Sequence, residues 1–209
     1  MADWVTISAL ATAGGTLVLA VATFSSVRSA NRAARAAERS LLAGLRPVLM
    51  PSRLQDPPQK VSFFDQHWVT IDGGHAAFEV SPEAIYLVVG LRNAGSGIAV
   101  LHGWYFYPER IAGAPPADTN DFRRLTRDIY VPAGDIGFWQ GAFRDPDEPA
   151  FATARDAATS ARPVSVDLLY GDHEGGQRMI SRFALSPTPN GSWLATVGRH
   201  WNLDRHNPR

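Results

Sequence analysis

The chain has 209 residues, a formal net charge of zero and no cysteine, which excludes a disulfide framework, cysteine-ligated zinc, iron–sulfur clusters and thiol nucleophiles. The zero is a sum of unlike parts: residues 28–46 carry +4, residues 47–198 carry −5 and residues 199–209 carry +2. A mildly acidic body argues against nucleic acid as a partner, because binding by counterion release needs clustered basic side chains.

Residues 4–27 contain no ionisable side chain. At about 1.5 Å of rise per residue, a run of about 20 already crosses the hydrocarbon core of a bilayer. The polar residues in this run are only serine and threonine, whose hydroxyls can bond back to the preceding helical turn. Trp4 stands at one end, where an indole suits the headgroup region. Residues 1–27 therefore read as a transmembrane anchor. Because positive charge is retained on the cytoplasmic side, arginines after the run predict the N-terminus outside and the C-terminal domain in the cytoplasm of a single-pass protein. The rival expectation is an exported form cleaved after Ala22, since Ala20-Val21-Ala22 matches the small-x-small pattern of a signal peptidase. Against it, residues 1–3 carry no basic side chain.

Small residues line one side of this helix: Ala9 with Ala13, and Ser8, Thr12, Thr16 and Ala20 at steps of four. Such spacing lets helices approach closely in lipid, so self-association into a homo-oligomer is one expectation; the other is a plain abundance of small residues. Residues 25–45 lack proline and are rich in alanine, so the helix is expected to continue to Arg46-Pro47. Arg28, Arg32, Arg35 and Arg39 then form one stripe, suited to anionic headgroups at the membrane surface or serving as a topology signal on a solvated face.

From residue 47 the texture changes to short apolar runs broken by Gly, Pro, Asn and Asp. Strands are expected at 48–53, 61–64, 68–71, 77–80, 85–92, 98–107, 128–131, 136–143, 164–170, 178–185 and 192–197, with one helical segment at 145–162. The Asn93-Ala94-Gly95-Ser96-Gly97 connection reads as a turn whose Asn and Gly can take positive φ. Strands without alternating helices indicate an antiparallel fold. The expected fold is mainly β: an antiparallel immunoglobulin-like β-sandwich over residues 47–198, preceded by the anchor and an arginine-rich juxtamembrane helix at 28–46, and followed by a basic tail at 199–209.

Residues 87–100, with Asn93, Gly95, Gly97 and Ala99, resemble the N-x-G-x-G-x-A strand–turn–strand pattern of bacterial immunoglobulin-like sandwiches of the adhesion-related type. The layout also resembles bacterial single-pass membrane proteins of uncharacterised role that join an N-terminal helix and arginine-rich segment to such a sandwich. In those, a hairpin like Tyr170-Gly171-Asp172 and a late tryptophan strand occur. The resemblance implies a fold and no particular activity.

For chemistry, Asp65, His67, Asp72 and His75 form the densest group of metal-type ligands, to be weighed against polar loop residues beside a strand pair. Asp172, His173 and Glu174 have acid/base polarity but sit at an expected hairpin tip. No catalytic or cofactor motif is present, so the chain is expected not to be an enzyme and no cofactor is assigned. Of the consecutive Trp104, Tyr105, Phe106 and Tyr107, two must face away from the core and be covered by the chain's own loops or by a ligand. The function expected is a membrane-anchored binding or scaffolding module for a protein partner. The alternatives are an exported sandwich that binds a carbohydrate or protein, and a metal-dependent enzyme.

Overall fold

With no proline before position 47 and abundant Ala, Leu and Val, nothing interrupts the first helix. A computed structural model, which describes residues 2–204, has it as α1, Ala2–Gly44. Its 43 residues reach about 65 Å, roughly twice the hydrocarbon thickness. The helix is long and apolar enough to span a membrane, and its apolar window is wholly exposed. The chain divides into this unit, Met1–Ala43, and a β unit, Gly44–Arg209.

The β unit contains β1 (Leu49–Pro51), β2 (Gln59–Ser62), β3 (Trp68–Ile71), β4 (His75–Val80), β5 (Ile85–Asn93), β6 (Ala99–Tyr107), β7 (Arg123–Val131) and β8 (Ile136–Phe143). After the helix α2 (Pro149–Thr159) come β9 (Val164–Asp172), β10 (Arg178–Pro187) and β11 (Trp193–Asn202). All the ladders are antiparallel, as expected from the strand-rich pattern. Nine strands make one sheet in the order β1-β5-β4-β11-β10-β9-β6-β7, with β8 also on β5. Strand β8 pairs with β5 from Ile85 to Arg92, so β4 and β1 lie end to end along the other edge of β5. The two ends of the sheet are then β7 and β8, which are consecutive in the chain; the sheet curls until its ends face one another.

Burial follows the two-residue period. Ile85, Leu87, Val89 and Leu91 of β5 join Val164, Val166, Leu168 and Tyr170 of β9 and Phe183 and Leu185 of β10 inside the curl. Tyr86 and Val88, on the other face of β5, are covered by the β2–β3 hairpin through Val61, Phe63, Val69 and Ile71. Strand β5 is therefore apolar without alternation, being buried on both faces. Helix α2 starts with Pro149 in its first turn and buries Phe151, Ala154 and Ala157, one stripe, against the same core.

Asn93 ends β5 and is fully buried. Its side-chain oxygen accepts from the Val48 and Gly95 amides, and its nitrogen donates to the Gly97 and Val131 carbonyls. The glycines beside it have a different reason from the one expected. Neither Gly95 nor Gly97 has positive φ. A Cβ on Gly95 would lie 2.3 Å from the Arg46 carbonyl oxygen, and one on Gly97 would lie 1.8 Å from that of Leu45. Close backbone approach, and not turn conformation, demands glycine here.

Outside the curl, Tyr105 and Tyr107 lie under the loop joining β6 to β7, while Trp104 belongs to the main core and Phe106 packs against it. The fastening of that loop is Arg182. Its Nε and Nη2 donate to Asp167 Oδ1 and Oδ2, each at 2.7 Å, and Nη1 donates to the Ala114 carbonyl at 3.0 Å. The guanidinium lies 4.8 Å from the Tyr107 ring and 4.9 Å from that of Trp201. Burial works against its charge, and the Asp167 carboxylate more than offsets this, so its pKa stands above the ordinary value. Burial, then Asp167, pushes the Tyr107 hydroxyl up to about 12. Strand β11 runs to Asn202, so Arg199 to Asn202 belong to the sheet, and Trp201 is buried; residues 205–209 of the expected tail lie outside the described residues.

Replacing Arg182 by Met leaves the buried Asp167 charge without its partner, a loss of about 3–5 kcal/mol in unfolding free energy. The double replacement Asp167→Leu with Arg182→Met recovers part of that loss in denaturant titration. Equal destabilisation by the single and double changes would contradict this account. Because Tyr107 ionises later when folded, its share of stability is complete below about pH 10 and is lost as pH rises through about 12.

Candidate functional site

On α1 the hydroxyls of Ser8, Thr12, Thr16 and Ser25 donate to the carbonyls of Val5, Ser8, Thr12 and Ala22, at 2.8–2.9 Å. This removes the need for water at those side chains. Ala9, Thr12, Ala13, Thr16 and Ala20 share one shallow groove between Val5 and Leu17. Arg28, Arg32 and Arg35 line another with Phe24, Val27 and Asn31, and Arg39 follows them one turn on. Every one of these nine side chains is exposed.

Asp65 and His67 meet at Tyr86, whereas His75 bonds within its own turn. Asp65 accepts from the Tyr86 hydroxyl at 2.9 Å and pairs with Arg144 at 3.3 Å. The His67 ring stacks on Tyr86 at 3.9 Å and its Nε2 meets Glu79 at 2.9 Å. His75 uses Nδ1 on the Gly73 carbonyl, and Asp72 is exposed. Among the described residues no group of three acidic or imidazole side chains is arranged to hold a metal ion. At the β9–β10 hairpin, Asp172 is buried and accepts from the Gly176 amide and the Gln177 side chain, which fixes the turn, whereas His173 and Glu174 are exposed at the tip.

The β unit also has a concavity that the strand pattern does not reveal. A cleft of about 540 Å³ lies along the facing edges of β7 and β8, with Trp104 among its lining residues. Four arginines line it: Arg123, Arg124, Arg127 and Arg144. The Arg123 guanidinium pairs with Glu148 and lies 4.8 Å from the Phe143 ring. Arg144 pairs with Asp65 and lies 4.3 Å from the exposed ring of Phe64. Arg127 donates to Gln140 Oε1 at 2.7 Å, bridging the two edges, and lies 5.5 Å from Phe138. Arg124 is exposed, and its guanidinium has no partner among the described residues. Two of the four charges are met by carboxylates and two are not.

Strand β7 begins at Arg123, five residues before its expected start, because Arg123, Arg124 and Arg127 break the apolar pattern by which strands are recognised. Three arginines within five residues of an acidic body are the signal that marks the cleft. Burial tends to raise the Asp65 carboxyl pKa, but the Tyr86 hydroxyl, the His67 amide and Arg144 together hold it below the ordinary carboxylate range. Burial and Asp65 push the Tyr86 hydroxyl up.

Comparison with known proteins finds no matching family model, no matching curated protein and no matching solved structure.

Tyr86→Phe removes one hydrogen bond from the Asp65 carboxylate, so the Asp65 pKa moves upward in a carboxyl NMR titration. A depressed carboxyl pKa contributes stability above the unfolded value of about 3.9 that is lost as pH falls through the folded one. Tyr86→Phe therefore also raises the pH at which acid unfolding starts. An unmoved Asp65 titration would count against this geometry.

Proposed function

We propose that the chain is a single-pass membrane protein whose N-terminal helix anchors a cytoplasmic β domain serving as a binding or scaffolding module for a protein partner. One observation carries the reading: residues 4–27 form an uncharged, exposed helical segment in which the Ser8, Thr12, Thr16 and Ser25 hydroxyls are bonded internally, followed at once by a one-sided arginine stripe. The orientation, N-terminus out, rests on the position of those arginines after the apolar run. In this reading Arg28, Arg32, Arg35 and Arg39 hold anionic headgroups at the inner surface. The small-residue face of Ala9, Thr12, Ala13, Thr16 and Ala20 brings copies of the helix together in the bilayer. The acidic body leaves nucleic acid without a role.

The immunoglobulin-like reading of the β domain belongs to the same proposal. What supports it is the succession of short antiparallel strands, the two apolar faces of β5 and the Asn93 turn.

A fluorescent reporter fused after Arg209 is expected to be active in the cytoplasm, and a phosphatase that folds only outside is expected to be inactive at the same junction. The reverse result would overturn the orientation. In detergent, Ala13→Leu with Thr16→Leu shifts the chain toward smaller assemblies, as read by size-exclusion chromatography with light scattering. An unchanged mass would remove the association face from the proposal.

A further inference from the structure

The ends of a curled sheet either pair, closing a barrel, or remain edges. Here they remain edges. Strands β7 and β8 have no ladder between them, although the Pro132–Asp135 turn joins them and Val131 lies against Gly137. Strand β7 is also released on its other side. Its register with β6 runs from Val131↔Ala99 to Ile129↔Leu101 and resumes only at Arg124↔Gly103. Residues 125–128 of β7 therefore stand opposite His102 alone and pair with neither neighbour. The facing edge of β8 is equally without a ladder, because β8 pairs only with β5. Between these edges lies the arginine-lined cleft.

We propose that this seam is a peptide-binding groove that receives an extended, acidic segment of a partner protein as an added strand. The inference rests on the reading of the β domain as a binding module and gives that module its ligand chemistry. Two features select the occupant. The row of unpaired backbone donors and acceptors on β7 and β8 is matched only by another extended backbone, which a small anion does not supply. The charge is selective too: Arg124 and Arg127 carry positive charge that no carboxylate in the cleft meets, and Arg123 and Arg144 stand at its margins braced on Phe143 and Phe64. Arg123 and Arg144 already meet Glu148 and Asp65, so the charge left for a ligand's carboxylates is that of Arg124 and Arg127. The lining sets the apolar Trp104 and Leu125 among the arginines, so an acidic segment that also carries apolar side chains fits. The chain's own residues 205–209 do not suit the groove, since they bring two further arginines and no acid.

The test uses the full chain in detergent micelles and a random peptide library. Selection is expected to enrich acidic sequences that also carry apolar residues, and a peptide so obtained should slow amide hydrogen exchange at residues 125–128. Arg124→Ala, a change at an exposed side chain without a partner, weakens that peptide at least tenfold by fluorescence anisotropy, and Arg124→Glu with Arg127→Glu abolishes binding. The thermal unfolding midpoint of the Arg124→Ala chain stays that of the parent, which separates lost binding from lost fold. Enrichment of basic or helical-periodic sequences would overturn the proposal. So would no enrichment, or the same exchange protection from citrate or inorganic phosphate alone. None of these results touches the membrane orientation or the existence of another binding face, which the reporter fusions and the assembly mass decide separately.

Discussion

Strand β5 has no face left for solvent, and the rest of the β unit is arranged to cover it. Its inward residues, Ile85, Leu87, Val89 and Leu91, are the wall of the main core, and Tyr86 and Val88 on the other side require the β2–β3 hairpin as a second layer. Along its edges it pairs with three strands, and at its end the buried Asn93 satisfies both side-chain donors and both acceptor positions. A buried amide with all four bonds made is worth far more than one with three, because the missing bond would be lost to water without compensation. Asn93 consequently sets where the chain enters β1 and where β6 begins, and Gly95 and Gly97 are the clearance that this entry needs.

The same curl that buries β5 creates the seam. Placing β8 on one edge of β5 and carrying the other edge through β4, β11, β10, β9 and β6 brings β7 back toward β8. The register with β6 is interrupted at residues 125–128, and arginines line the seam, the kind of charge by which natural sheets discourage unwanted edge pairing. Protection and selective recognition are compatible here, since positive charge repels basic strands and attracts acidic ones.

Away from the seam, polar residues on the outer sheet face are tied down. Asp167 and Arg182 form a two-pronged pair beneath the β6–β7 loop, and Tyr107 closes it from the side. The consecutive aromatics of β6 are divided by this arrangement, with Trp104 and Phe106 inward and Tyr105 and Tyr107 under the loop. Their cover is the chain itself, so the aromatic run is structure and not an open surface.

The local period determined a great deal unaided. Twenty-four uncharged residues followed by arginines at helical steps define a helix able to span a membrane, and short apolar runs place nine of the eleven strands to within a few residues, because both patterns depend on neighbours in the chain. The helical segment at 145–162 and the hairpin tip at His173 and Glu174 are legible for the same reason. What only the tertiary structure decided involves residues far apart in sequence. The opposing edges of β7 and β8, the bracing of Arg144 on Phe64, the meeting of Asp65 and His67 at Tyr86, and the close passage of Leu45 and Arg46 over Gly95 and Gly97 all involve such distant residues. Strand β7 shows the boundary between the two: its arginines hid it from a pattern built on burial, since a strand lining a charged cleft has no apolar alternation to read.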